Sequence, residues 1–262
     1  MAEIVNLNIE PNPDAKLSAF QHVSKFTTTS IGALRTIQAT RNICRGVNAT
    51  RELAGRAPSK QLTQIDSALG IGISALSIPR IPSVTQDAIK SVADLGKKSS
   101  VPGAFRRKII KATHDMADML AIDSYAVALA TSIPVLRTVG STFDLVADAA
   151  DIEIHGENIL RSKKLEKAIA KETNMEPDEK KRALKTNQET KNFDIMKFAK
   201  GVLATLAGVL GLVVFAMGAP LLPAIIFAIM ALATVTLAIS SQLYKQSRPN
   251  LLIDHSVVHV TA

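Results

Sequence analysis

Large apolar residues recur along this chain in two rhythms, and the change from one to the other near residue 200 divides it. From Leu17 to about Leu53 they fall at Leu17, Phe20, Val23, Phe26, Ile31, Leu34, Ile37, Ile43, Val47 and Leu53. Spacings of three, four and near multiples of these place them on one stripe of a helix. Thr27-Thr28-Thr29 loosens that stripe, and Gly55 with Pro58 ends it. A second stripe covers Leu62, Ile65, Leu69, Ile73 and Leu76 and stops at Pro79 and Pro82. Ser83-Val84-Thr85-Gln86 has the form of a capping box, which predicts a short helix with Ile89, Val92 and Leu95 on one side. Gly96 to Pro102 predicts a loop, and Phe105 to Ile133 a helix closed by Pro134. Ser141 and Asp144 signal another start, after which Leu145, Val146, Ile152, Ile159, Leu165 and Ile169 carry the pattern to about Ala170. Ile4 to Glu10 alternates briefly but is too short to stand alone as a strand.

The second rhythm is continuous. Gly201 to Tyr244, about 44 residues, carries no charge and is interrupted only by Gly218-Ala219-Pro220-Leu221-Leu222-Pro223. One crossing of a bilayer needs roughly 20 apolar residues, so the stretch suits two. Val202, Leu206, Leu210 and Phe215 belong to the first lobe, and Ile225, Phe227, Ile229 and Leu237 to the second. Gly218, Pro220 and Pro223 predict the turn, since proline lacks the amide proton a helix interior needs. Lys197 and Lys200 before the first lobe, with Lys245 and Arg248 after the second, place both arms on the cytosolic side. A pair of buried core helices in a soluble protein is the plainer alternative. Met119 to Leu136 is a third apolar segment, but Asp123 costs about 2.5–3.5 kcal/mol at a membrane centre and favours a soluble core helix.

The expectation is an all-α chain: an extended N-terminus over 1–14, a helical cytosolic domain over 15–171, a charged linker over 172–196, a transmembrane hairpin over 197–244 and a short tail over 245–262. The linker (ETNMEPDEKKRALKTNQETK in its first part) reads as unstructured or as a short solvated helix. Residues 1–30 lack a basic stretch followed by an apolar core, so they do not read as a secretory signal.

Charge adds a partner class. The net charge is +8, and tryptophan is absent, so anchoring at the membrane surface falls to Lys and Arg. Basic residues concentrate at Arg35, Arg41 and Arg45 (with Arg51 and Arg56), and again at Arg106, Arg107 and Lys108. Each well-placed cation gains about 1 kcal/mol against anionic headgroups, which makes such clusters candidate contacts for lipid or a protein partner. No aromatic residues interleave them as stacking platforms, which argues against nucleic acid. Cys44 is the single cysteine, and it reads as a small apolar residue.

Catalytic chemistry finds no footing. Gly70-x-Gly72-x-x-Ala75 lies inside a helical pattern with no strand before it, which is the wrong setting for a dinucleotide loop. Asp144, Asp148, Asp151 and His155 share one helical face, and His114 with Asp118 forms another pair at i, i+4. A metal site can be drawn from them, but the glutamates and Glu-x-x-His motifs of carboxylate-bridged bundles are missing. The stripe is better explained by solvation or by pairing with the basic helices. No Ser-His-Asp, Cys-His or phosphate-loop arrangement stands out, so neither enzyme activity nor a cofactor is expected.

The bilobed apolar stretch from Gly201 to Tyr244 with its Gly/Pro turn resembles the chlamydial inclusion membrane proteins. The resemblance implies type III secretion, insertion into the membrane of a pathogen-containing vacuole, and arms that recruit host cytosolic proteins. It carries over no functional residue. A weaker likeness is to the peroxisomal membrane-elongation proteins, which set basic amphipathic helices ahead of membrane segments. It implies membrane remodelling, with Ile31 to Leu53 as the lipid-inserting helix.

Overall fold

The computed structural model describes residues 17–98, 103–171, 175–216 and 221–248, all helical or in short connections, with no strand among them. The helices are α1 (Ala19–Thr28), α2 (Ser30–Leu53), α3 (Lys60–Ser77), α4 (Ile81–Leu95), α5 (Ala104–Thr131), α6 (Pro134–Lys171), α7 (Pro177–Ala216) and α8 (Leu221–Ser247). The segments 1–14 and 249–262 of the expected N-terminus and tail, and Gly218 and Pro220 of the expected turn, lie outside the described residues.

Local chemistry explains most of the boundaries. Ser18 and Gln21 form a reciprocal capping box that opens α1. Thr29 then ends α1 and caps α2, its hydroxyl accepting from Gly32 N at 3.0 Å. A Cβ at Gly32 would lie 1.8 Å from the Phe26 carbonyl oxygen, so only glycine allows this tight junction. The expected single helix from Leu17 to Leu53 is therefore two.

Three further boundaries differ from the sequence reading. Ser83 does not open a helix; α4 begins at Ile81, and the Ser83 hydroxyl donates to Arg80 O at 2.8 Å. A 3-10 turn over Ile78–Arg80 takes Pro79 in its first turn, and α4 takes Pro82 in its own, where a missing amide proton costs nothing. Ser141 likewise lies inside α6, its hydroxyl donating back to Arg137 O at 3.0 Å. The helix has already started at Pro134, a residue preset for the first helical position. Pro223 is not in a turn either; it sits in the first turn of α8.

Successive long helices run antiparallel, as their cross-contacts show. Tyr125 on α5 meets Asp144 on α6, and His114 meets Asp151. Lys200 on α7 meets Asp148 and Asp151 on α6, while Lys191 meets Glu166. Gly211 on α7 faces Phe227 on α8, and Arg248 past the end of α8 meets Glu189 back on α7. The bundle closes through α2, which lies along α8: Gly46 sits opposite Ala228.

Two consequences bear on the hairpin. The charged stretch expected as a linker is helical from Pro177 and continuous with the first apolar lobe in the 40-residue α7. It packs on α6 through Ala183, Thr186, Asn187, Thr190 and Asp194, all buried. Nor does the apolar pair stand alone: α2 covers one side of α8, and the first half of α6 covers α7. Gly201 and Gly208 let α6 approach so closely that a Cβ at either would meet Ile152 or Leu145 within 3 Å.

The distribution of side chains is inverted relative to a water-soluble bundle. The buried apolar residues are mostly alanines, such as Ala112, Ala117, Ala121, Ala147, Ala150, Ala207 and Ala228, accompanied by buried Ser, Thr, Asn and Asp. Large apolar residues point outward, among them Leu206 (51% exposed), Val209 (51%) and Ile229 (63%). Among the described residues a conventional apolar cluster occurs only at the far end, where Leu165, Ile169 and Ala183 meet Met175 and Leu184. Small residues between helices and large ones facing out are what packing in lipid favours. Among the described residues three stretches are long and apolar enough to cross a membrane by length and composition: Lys60–Leu95, Pro177–Val213 and Ala224–Ser247. The first exceeds the sequence reading, which broke it at Pro79.

Candidate functional site: the charged interior at the base of the apolar pair

Charged side chains gather where the charge-free stretch begins. Lys200 is the last charged residue before Gly201, and its side chain turns into the bundle, only 12% exposed. Its Nζ lies 3.1 Å from Asp148 Oδ1 and 3.1 Å from Asp151 Oδ2. The acidic stripe of α6 thus faces inward and is neutralised from two neighbouring helices. From α5, His114 places Nε2 3.2 Å from Asp151 Oδ1 and Nδ1 2.9 Å from Asp115 Oδ1. One turn of α6 further on, His155 Nδ1 meets Asp194 Oδ1 on α7 at 2.7 Å, and Asn158 Nδ2 donates to the same oxygen at 3.2 Å.

The proton affinities follow from these partners. Burial disfavours the His114 imidazolium, but hydrogen bonds to Asp115 and Asp151 outweigh it and raise the ring to about 10. Burial pushes Asp151 upward, yet His114 and Lys200 hold it well below the usual carboxylate range. Asp144 is raised to about 6 by burial; the hydrogen bond from Tyr125, whose hydroxyl donates to Oδ2 at 2.6 Å, opposes this only in part. Burial with Asp144 nearby raises the Tyr125 hydroxyl, so it remains a donor.

On the other side of Lys200 the bundle opens into a cavity of about 160 Å³. Arg35 from α2, Arg80 from the 3-10 turn, and Lys197 and Lys200 from α7 wall it, with Gln242 of α8 and the apolar Phe26, Ile31, Leu34 and Ala238. Among the described residues no carboxylate lines it. Arg80 reaches away to Asp118 at 3.4 Å, as Lys200 does to Asp148 and Asp151. Arg35 donates to the neutral Gln38 at 2.8 Å, and Lys197 sits 5.7 Å from the centre of the Phe193 ring. Burial, then repulsion from Lys200, lowers Lys197 to about 8; burial and Arg80 lower Arg35.

The other sequence candidates divide. Arg41 and Arg45 converge on Asp66 of α3, at 3.0 and 2.7 Å. Arg106 pairs with Glu153, Arg107 pairs with Glu157 at 2.9 Å, and Lys108 donates to Lys97 O. Each of the five thus contacts a neighbouring helix or the turn after α4, and Arg106 keeps 67% of its side chain exposed. Lys245 is exposed near the end of α8, and Arg248 stacks 4.6 Å from the Tyr244 ring centre. In the apolar pair Val202, Leu210, Ile225, Phe227 and Leu237 are half-buried, Leu206 and Ile229 are exposed, and Phe215 lies in the last turn of α7. Sequence reasoning separated Arg35 from Lys197 and Lys200, and it gave Arg80 no role. Only the close packing of α2, α7 and α8, together with the 3-10 turn that carries Arg80 against α5, brings the four together.

Among the described residues no group of three or more His, Cys, Asp and Glu side chains is placed to hold a metal ion. Comparison of the chain with protein-family models, curated proteins and solved structures finds no match.

Proposed function

We propose that this protein is a membrane-anchored helical scaffold: the α7–α8 pair sits in lipid and the long charged arms of α5, α6 and α7 present an interaction surface for a protein partner. The observation that carries this reading is the inverted side-chain distribution along Gly201–Tyr244, with small residues against neighbouring helices and Leu206, Val209, Val213, Ile226 and Ile229 outward. At about 25 cal/mol per Å², such a surface would be costly in water and is favourable in hydrocarbon. Because α2 and α6 cover the opposite sides of the pair, the lipid-facing part is the outer face of α7–α8. The Arg248–Glu189 contact brings the segments before and after the pair to one end, in keeping with both arms sharing a compartment.

A scaffold is favoured over membrane remodelling because α2, the helix remodelling would need, is held against α3 and α8 along one face, with Ile31, Ile43, Val47 and Leu53 left exposed on the other. Leu34 and Cys44 are buried, and Arg41 and Arg45 are tied to α3. In the setting that the inclusion-membrane resemblance implies, the partner would be a host cytosolic protein. Proximity labelling with the intact protein in its native cell tests the proposal. A reproducible cytosolic partner, with the protein itself retained by the membranes on alkaline wash, supports it; labelling of lumenal proteins alone, or release of the protein by the wash, refutes it.

A further inference from the structure

We propose that the cavity between Arg35, Arg80, Lys197 and Lys200 is a binding site for a phosphate group, supplied by the headgroup of an anionic phospholipid. Four cations face a cavity of about 160 Å³ that no carboxylate among the described residues lines. The acids stand behind the wall, on α5 and α6: Asp118 pairs with Arg80, and Asp148 and Asp151 with Lys200, while Arg35 and Lys197 feel these carboxylates without an ion pair to them. Arg35 and Lys197 make no ion pair among the described residues. Keeping like charges together out of water is unfavourable, and an anion in the cavity removes the penalty. A phosphate matches the donor set, because a guanidinium grips two oxygens at once while an ammonium acts as a point charge.

The shape of the site suits a headgroup. Phe26, Ile31, Leu34 and Ala238 make an apolar side to the same cavity, as the neck of a phospholipid requires. Its level is also right: Lys200 immediately precedes the charge-free stretch, and Gln242 lies two residues from the end of that stretch. The phosphate site stands on the cavity alone, whereas the lipid as its source rests on the membrane reading proposed above.

The test uses the full chain in a neutral detergent, with Arg35→Gln/Lys197→Gln as the site variant and Lys163→Gln/Lys167→Gln, two exposed positions on α6, as a control of equal charge. Native mass spectrometry counts retained lipid after addition of phosphatidylglycerol or phosphatidylcholine, and a melting curve follows added inorganic phosphate. The expected result is one tightly held phosphatidylglycerol, bound at least tenfold more weakly by the site variant and unchanged in the control, with phosphatidylcholine weaker throughout. Stabilisation by inorganic phosphate alone, lost in the site variant, upholds the phosphate site and overturns the lipid source. Equal binding by wild type and site variant, or none of either probe, overturns the proposal. Should the double variant not fold, Lys197→Arg and Arg35→Lys, which keep the charge, must retain binding while Lys197→Gln alone weakens it severalfold. Phosphate stabilisation is measured without a bilayer, so failure of the membrane reading leaves that arm standing.

Discussion

Replacing Lys200 with methionine separates a structural role for this residue from a role at the membrane surface. Its ammonium lies 3.1 Å from each of two carboxylates, on Asp148 and Asp151, in a largely buried setting. At an effective dielectric of about 20, each contact is worth roughly 5 kcal/mol of gross attraction, most of it offset by desolvation. Removing one partner of a buried pair typically costs about 3–5 kcal/mol. Two features place this case near the lower end. Asp151 retains His114 at 3.2 Å, and burial has already raised Asp148, which takes up a proton once the lysine is gone. The expected cost of Lys200→Met is therefore about 3 kcal/mol. Asp148→Asn in the same chain should recover part of it, with a coupling of about 2 kcal/mol. Reversible denaturation in detergent, run as a double-mutant cycle, gives both values. A loss under about 0.5 kcal/mol with no coupling is surface behaviour and would refute the buried-pair account.

Other consequences follow from the same packing. His114 should remain imidazolium near neutrality, and because its folded value of about 10 exceeds the unfolded one, its stabilisation is full below pH 6.5 and lost as pH rises through 10. Melting temperature should therefore fall across that window, and His114→Gln should flatten the fall; histidine NMR shifts that titrate near 6.5 contradict it. Asp144 is raised to about 6, so its ionised form opposes folding above that pH. Asp144→Asn, which keeps an acceptor for Tyr125, should leave the melting temperature at pH 8 unchanged or higher, and a marked drop would show the carboxylate to be needed. At Gly208 a Cβ would come within 2.4 Å of Leu145 Cδ2, so Gly208→Val should cost about 1–3 kcal/mol unless Leu145 is shortened to alanine.

What the sequence disclosed, it disclosed through large apolar residues. The charge-free stretch becomes the second half of α7 and nearly all of α8, and the three-four spacing before it does become helix. The hidden part is polar. The segment 172–191 looks solvated because its buried stripe, Ala183, Thr186, Asn187 and Thr190, holds small and polar residues that hydrophobic periodicity cannot register. In that stripe Asn187 Nδ2 donates to Ser162 O at 2.9 Å, a contact between distant helices with no local signature. The acidic stripe of α6 was visible as one face, but which cations meet it depends on how α5 and α7 lie against it. Arg35 was visible only as one of many arginines; its place beside Lys197 follows from the return of α2 along α8. Ser83 and Ser141 mimic helix starts, but α4 and α6, each with a proline in its first turn, have already begun two and seven residues earlier.

The central claim is that the outer face of α7 and α8 lies in lipid, and site-directed spin labelling of the reconstituted full chain measures it directly. In a Cys44→Ser background, nitroxides at Leu206→Cys and Ile229→Cys should collide with oxygen and be shielded from a water-soluble nickel relaxant, while a label at Lys245→Cys should show the reverse. Ready access of the nickel complex to both Leu206→Cys and Ile229→Cys would mean that this face is bathed in water, and the account would be wrong.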